Sequence, residues 1–280
     1  MGGKVDVYID IASLYSYIAF YYIIKSQGAL AAHGVRLESV LTPHLLNSVS
    51  PLIARQPPSR TSRRYQRGIR YVSPLPFSPA STKTAAGNKP PWTLPAKAKY
   101  GTHDARRSSI RIGKPDITTP PDFMDRSMTI LPLRALHFIK KTYPDAAYQT
   151  AWHWLLHCFW EPPNMNLTKL DVLVKALADA PQEYPPPAGA QAKLFSEADV
   201  KKIMEGTATQ EIKDAVKAKT QEAVERGAFG APWFWAVNDE GKEEPFFGSD
   251  RFHFLYEFLS VPFQDIAILP PGSQRKDTKL

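Results

Sequence analysis

Hydrophobic and polar residues alternate over residues 4–9 (KVDVYI), the period of a strand, and again over Val35 to Leu41 (VRLESVL). Between them, Ser13 to about Gln27 carries aromatic and β-branched residues on every side, which predicts a well-buried helix broken across Gly28 to Gly34. The chain thus opens β–α–β, with a connection long enough for a parallel pair. From about Asp122 to Leu177 the pattern is helical, in pieces separated by proline or glycine, and a proline-rich spacer follows at Tyr184 to Ala188. A helix around Ser196 to Glu205 starts with a serine that has acids behind it. Thr209 to Arg226 is amphipathic, with Ile212, Ala215, Val216, Ala223 and Val224 on one face and Gly227 at its end. Pro232 to Val237 and Glu244 to Phe247 read as a hairpin around a turn at Asn238 to Gly241. Ser249-Asp250 reads as the cap of a final helix, Arg251 to Leu259.

The order β-α-β, helical block, α-β-β-α predicts an α/β, thioredoxin-like fold interrupted by an all-helical insertion. The corresponding division is 1–48 with 207–262 for the thioredoxin-like part, and 87–206 for a loop plus the helical insertion. Residues 49–86 form a further, basic insertion, and 263–280 a flexible tail. That basic stretch stands apart in composition. Residues 49–84 hold six prolines, six serines and the cations Arg55, Arg60, Arg63, Arg64, Arg67, Arg70 and Lys83, without one acid. Such a composition buries too little apolar surface to offset its ordering entropy, so disorder is expected there.

Charge and cysteine usage narrow the chemistry. The 280-residue chain has a net charge of +8, almost all of it in that one segment. Its single cysteine, Cys158, excludes an intramolecular disulfide, a CxxC redox pair and a multi-cysteine zinc site, and points to a reducing compartment. No segment approaches the ~18 apolar residues of a membrane span, and the first residues lack a signal core. A soluble, intracellular protein without a membrane partner is expected. A nucleic-acid partner bound electrostatically through 49–84 is the less favoured reading, because the stretch shows neither a regular basic helix nor an aromatic stacking platform. His153 and His157 have the i, i+4 spacing of metal ligands, yet WHWLLHCFW has no HExxH glutamate; they read as core or interface residues, and no metal is expected.

Three segments carry candidate chemistry. Ser13-Leu14-Tyr15-Ser16 follows a strand and opens a helix, where thiol oxidoreductases of this fold place CxxC. With serine at both ends thiol–disulfide exchange is excluded there, but the helix N-terminus remains an anion site and a serine hydroxyl could donate to a ligand's thiolate. The bland reading is that Ser13 only caps the helix. At Phe229-Gly230-Ala231-Pro232 the proline suggests a cis peptide that presents the Ala231 backbone to a peptide-like ligand, or simply a turn. Ser249 and Asp250 could hold the ammonium and carboxylate of an amino-acid moiety, or serve as an ordinary cap.

Together these segments resemble the kappa-class glutathione transferases and the related 2-hydroxychromene-2-carboxylate isomerases, which have a DsbA-like fold split by helices. Ser13-Leu14-Tyr15-Ser16 is similar to their S-P-Y-S, with Leu14 in place of proline. Gly87-Asn88-Lys89-Pro90-Pro91, Gly227 to Pro232 (GAFGAP) and Phe247 to Arg251 (FGSDR) are similar to three further motifs, in the same order. The resemblance spans about residues 4–48 and 85–260, and residues 49–84 interrupt it. It implies glutathione as co-substrate. Ser13 would hydrogen-bond its sulfur, and Ala231 with Pro232 would pair its cysteinyl backbone. Ser249 and Asp250 would hold the γ-glutamyl end, while Asn88 and Lys97 face the ligand. The activity implied is conjugation of glutathione to small hydrophobic electrophiles, that is, detoxification. The alternatives are glutathione-dependent isomerisation, or a homologue silenced by the insertion at 49–86. The resemblance also implies a homodimer and a mitochondrial or peroxisomal address, with the cytoplasm as the other possibility.

Overall fold

A computed structural model describes residues 2–41, 94–189 and 192–264. The segment 49–86, Asn88 and most of the expected tail lie outside the described residues. Strand β1 (Gly3–Ile9) pairs in parallel with β2 (Val35–Leu41), Gly3 opposite Val35 and Ile9 opposite Leu41. Strand β3 (Trp233–Asn238) runs antiparallel to β1, with Tyr8 opposite Trp233, and β4 (Glu243–Phe247) runs antiparallel to β3. The sheet order is β2-β1-β3-β4. Pro245, which cannot donate to a ladder, is accommodated because β4 is an edge strand. All four strands begin and end within about one residue of the expectation from alternation.

Helix α1 spans Leu14–Ala32, five residues beyond its expected end. Gly28 lies inside it rather than breaking it. An interior glycine costs a helix about 1 kcal/mol, which burial of Leu30 offsets. The stop comes at Gly34, whose φ of +75° is a left-handed conformation that suits glycine. A second difference is α2 (Pro95–Arg111), which occupies the expected loop. Pro95 supplies a pre-set first turn, and alanine, lysine and arginine behind it are strong helix formers.

The remaining helices are α3 (Phe123–Arg126), α4 (Ile130–Thr142), α5 (Asp145–Trp160), α6 (Leu170–Asp179), α7 (Glu197–Ala208), α8 (Gln210–Glu225) and α9 (Phe252–Phe258). Ser196 and Asp199 form a full capping box at the start of α7, as the acids behind Ser196 suggest. Gly206 lets α7 approach α4, since a Cβ there would sit 2.1 Å from Phe138. Among the described residues, no helix is long and apolar enough to cross a membrane.

The sheet is covered on both faces. Val5, Val7 and Ile9 join Tyr17 and Phe20 of α1 and Trp152, Leu155 and Phe159 of α5 in one core. Tyr8 faces the other way, against Ala223, Ala228 and Trp233 under α8. There Arg226 pairs with buried Asp6 at 2.7 Å, and Lys4 approaches the same carboxylate at 2.8 Å. Burial alone would raise the Asp6 pKa; the bonds from Lys4 and Arg226 outweigh it and hold it below its ordinary value.

His153 and His157 pack as core residues. The His153 ring lies 4.9 Å from Tyr21 and 4.6 Å from Tyr184, both edge-on. His157 Nδ1 stands 3.1 Å from Glu161, which also accepts from Tyr17 (2.7 Å) and meets Lys114 at 2.9 Å. Among the described residues, no group of three or more His, Cys, Asp or Glu could hold a metal ion. Cys158 is buried, and burial pushes its thiol up to about 12.

Burial also depresses His153 from 6.5 to about 4, with the nearby Lys114 charge acting in the same direction. Between those values the unfolded chain binds a proton that the folded chain refuses, so stability falls as pH drops through that window. Glu161 behaves as a second, lower step. Burial opposes its ionisation, but bonds from His157, Tyr17 and Lys114 win and bring it from 4.5 to about 2. Urea unfolding at a series of pH values is expected to show a loss of about 3 kcal/mol between pH ~6.5 and ~4. His153→Phe should flatten that limb while leaving the steeper fall below pH ~4. An unchanged slope in the variant would refute the assignment to His153.

Candidate functional site

The site begins where β1 ends. Buried Asp10 turns the chain: its carbonyl accepts from Ser13 N (3.3 Å), its N–H donates to Ser16 Oγ (3.3 Å), and its carboxylate accepts from Thr129 Oγ1 (2.6 Å). The next carbonyl, that of Ile11, accepts from Trp160 Nε1 at 2.7 Å. Thr129 immediately precedes α4 and Trp160 ends α5, so the helical insertion pins this turn from behind. Ser13 is the N-cap of α1, with extended backbone and an Oγ that accepts from Ser16 N at 3.2 Å. The positive end of a 19-residue helix therefore lies at Ser13.

The Ser13 hydroxyl donates to the Ala231 carbonyl at 2.9 Å, across 218 residues of sequence. Ala231-Pro232 is a cis peptide, as its proline suggests. It follows α8, which stops at Gly227 (φ +84°), and leads directly into β3. The Pro232 carbonyl in turn accepts from Gly248 N at 3.1 Å. Ser13 thus caps α1, and its hydroxyl also touches the second candidate segment.

Gly248 (φ +98°) carries the chain into a turn at Ser249 and Asp250. Here the expectation needs correcting. Ser249-Asp250 does not cap the last helix; α9 starts at Phe252, its cap is Arg251, and no side chain bonds there. The physical reason is the left-handed step at Gly248, which spends these two residues on the turn. Ser249 is buried, whereas Asp250 is exposed and paired with Arg251. The Asp250 carboxylate folds back over Gly248, where a Cβ would stand 2.8 Å from its Oδ1. Phe247 packs against Phe229 with centroids 4.5 Å apart and the rings tilted at 48°, which ties the GAFGAP and FGSDR segments together.

Of the expected residues, Ser13, Ala231, Pro232, Ser249 and Asp250 thus fall on three segments joined by the Ser13–Ala231 and Gly248–Pro232 bonds. Asn88 lies outside the described residues. Lys97 is exposed on the first turn of α2. The contact that brings α2 to this place was not anticipated: Tyr15 OH donates to Asp104. Burial and the Asp104 carboxylate raise the Tyr15 pKa, so it stays a donor. Lys97, Tyr100 and Asp104 stand at i, i+3 and i+7 and share one side of α2. The signal that could have found this is Pro95 at a helix start followed by helix formers; the partner of Tyr15 is 89 residues away and has no local signature.

A groove of about 530 Å³ runs along β4 and α9, lined by Pro245, Phe247, Arg251, Phe254 and Phe258 among others. Neither Ser13 nor Ala231 lines it, so it is not the place where Ser13 would meet a sulfur atom.

The two-sided sheet, the cis proline ahead of β3 and the helix N-terminus facing it define a thioredoxin fold of the DsbA-like type. The family model described as a DSBA-like thioredoxin domain matches residues 168–260. The chain is similar to glutathione S-transferase kappa 1 of Caenorhabditis elegans, 24% identical over 262 residues and covering 92% of each chain. It is similar also to glutathione S-transferase kappa 1 of Homo sapiens, 27% identical over 190 residues, 67% of this chain and 76% of that one. Among solved structures, a 2-hydroxychromene-2-carboxylate isomerase superposes with a TM-score of 0.52 at 14% identity, covering 92% of this chain and 94% of that chain. The resemblance drawn from the motifs is thereby borne out, and so is the fold.

Tyr15→Phe is expected to cost about 1 kcal/mol through loss of the Asp104 bond. Ser109 and Ile112, both buried, together with the Arg111–Tyr22 bond, keep the far end of α2 in place. Hydrogen exchange should therefore quicken at residues 95–104 and stay slow near 109–112. Equal protection in variant and wild type would show that Tyr15 does not hold α2.

Proposed function

We propose that this chain is a glutathione transferase of kappa-like type, in which Ser13 stabilises the thiolate of bound glutathione. The observation that carries the reading is the Ser13–Ala231 hydrogen bond. It sets a hydroxyl donor, a helix N-terminus and the carbonyl of a cis-proline peptide side by side.

A serine hydroxyl has one proton to donate. When glutathione enters, that proton turns from the Ala231 carbonyl to the sulfur, and the freed carbonyl accepts the cysteinyl N–H of the ligand. One hydrogen bond is exchanged for two, without movement of the backbone. The thiol, with an ordinary pKa of about 8.5, ionises more readily beside the helix N-terminus and a hydroxyl donor. Its proton leaves to solvent. The thiolate then attacks an electrophilic carbon: a C–S bond forms, and the leaving group departs with its electron pair. Asp250 takes the γ-glutamyl ammonium, aided by Ser249. This releases its exposed pair with Arg251, an interaction worth at most about 1 kcal/mol. Lys97, at the start of α2, and Asn88 are the further residues that the resemblance assigns to the ligand. The protein supplies binding and ionisation, and glutathione supplies the nucleophile.

Calorimetric titration with glutathione tests this directly. Asp250→Ala is expected to weaken binding by roughly tenfold or more, because the ligand ammonium loses its partner. Ser13→Ala should leave the dissociation constant nearly unchanged and raise the pH at which thiolate absorbance appears on the bound ligand. A folded wild-type protein without saturable binding overturns the reading. Binding with regeneration of glutathione and cis–trans conversion of an aromatic keto-acid would assign the isomerase activity instead.

A further inference from the structure

The outward face of α2 carries a row of cations that the glutathione site does not use. On a helix with 3.6 residues per turn, Ala98, Ala105, Ser109 and Ile112 face inward, half-buried or buried. On the opposite side Lys99 and Arg106, seven residues apart, lie along one flank, and Arg107 lies along the other. Ala96, His103 and Ile110 form the strip between them. All of these are exposed. Among the described residues, no carboxylate pairs with Lys97, Lys99, Arg106 or Arg107, and the helix's only acid, Asp104, is engaged by Tyr15.

The charge along the sequence is just as lopsided. Residues 49–111 hold thirteen cations and one carboxylate, whereas the rest of the chain is net −4. A regular basic helix, α2, lies directly downstream of residues 49–84 in the sequence. An acidic remainder repels a polyanion from other faces and directs it to this one.

We propose that the outer face of α2 docks the phosphate backbone of a nucleic-acid duplex, without sequence preference. A membrane is the poorer fit. A helix lying in a lipid interface needs a broad apolar face free to insert, and the outward strip of α2 offers only Ala96 and Ile110 between its cations. Single-strand recognition needs stacked aromatic platforms, and Tyr100 is the one aromatic residue on this helix. What remains is cation–phosphate contact, which fits a backbone and ignores its bases.

The test is fluorescence anisotropy of a dye-labelled duplex of about 20 bp, titrated with the full chain over a range of salt concentrations. The wild-type protein is expected to bind with an affinity that falls linearly in log–log form as salt rises. The triple variant Lys99→Gln, Arg106→Gln, Arg107→Gln should lose at least about tenfold in affinity, with a slope shallower by about 0.9 for each contact removed. These positions lie outside the glutathione set, so circular dichroism and glutathione titration of the variant should match the wild type. Wild-type protein that ignores the duplex overturns the proposal. So does a triple variant with an unchanged slope, which would leave the attraction to residues 49–89 alone. Binding to phosphatidylserine–phosphatidylcholine vesicles in preference to the duplex overturns it as well and assigns the face to lipid. None of these outcomes bears on whether glutathione binds.

Discussion

A hydroxyl has one proton to give, and in this protein the Ser13 proton is given to the carbonyl of Ala231. That contact rests on the register of the sheet. Because β3 is antiparallel to β1 with Trp233 opposite Tyr8, the residues just after β1 and just before β3 emerge at the same end. The cis peptide and the start of α1 are brought together by strand pairing alone. A one-residue slip would turn Tyr8 and Val7 to the wrong faces, and the two cores that sandwich the sheet forbid it. The position of a hydroxyl is thus fixed by the burial of side chains several residues away.

The helical insertion belongs to the same constraint. Thr129 and Trp160 reach back to Asp10 and Ile11, the two residues whose backbone sets the entry into α1. These bonds are buried, where a lost partner leaves a polar group that costs about 1–3 kcal/mol. From the front, Tyr15 holds α2 through Asp104. The turn before Ser13 is therefore clamped by residues 119 to 149 positions distant in sequence. The helical insertion thus supplies bonds that hold the entry into α1, and a donor held in place lowers the ordering cost of any ligand that uses it.

What could be read from the sequence follows from how local each signal is. The strands were legible because alternation is local and burial enforces it. Helix α8 was legible from Ile212, Val216 and Ala223 together with the stop at Gly227. Helix α1 was read short because glycine propensity at Gly28 is weak beside the tertiary burial of Leu30. Helix α2 was read as a loop because its inward face is built of alanine and serine, which give no hydrophobic period to see. The cap expected at Ser249-Asp250 failed for a conformational reason: Gly248 takes φ +98°, and residue types alone do not reveal which glycine will do so. The linear motifs named Ser13, Ala231, Ser249 and Asp250. The bonds between them lay beyond any local window, as did Tyr15 with Asp104.

Replacing the two cysteines of a thiol oxidoreductase with Ser13 and Ser16 leaves the electrostatics of the helix start in place and removes the protein's own nucleophile. The positive end of α1 then has no thiolate of its own to stabilise, and Ser16 is turned inward to accept from the Asp10 N–H. Only Ser13 remains at the surface, sharing its proton with a carbonyl that strand pairing has placed opposite. On the proposed reading, such a site acts on sulfur that a ligand brings, and the ligand would present an N–H to Ala231 at the same time as it presents the sulfur to Ser13. A cysteinyl residue within a peptide meets both requirements, because its amide N–H and its side-chain sulfur diverge from a single Cα. A simple alkyl thiol offers no N–H, and would leave the Ala231 carbonyl without the partner it gave up. On the proposed reading, a peptide thiol would be favoured over a simple alkyl thiol before any contact at Asp250 is considered, and Asp250 would add the preference for an amino-acid end.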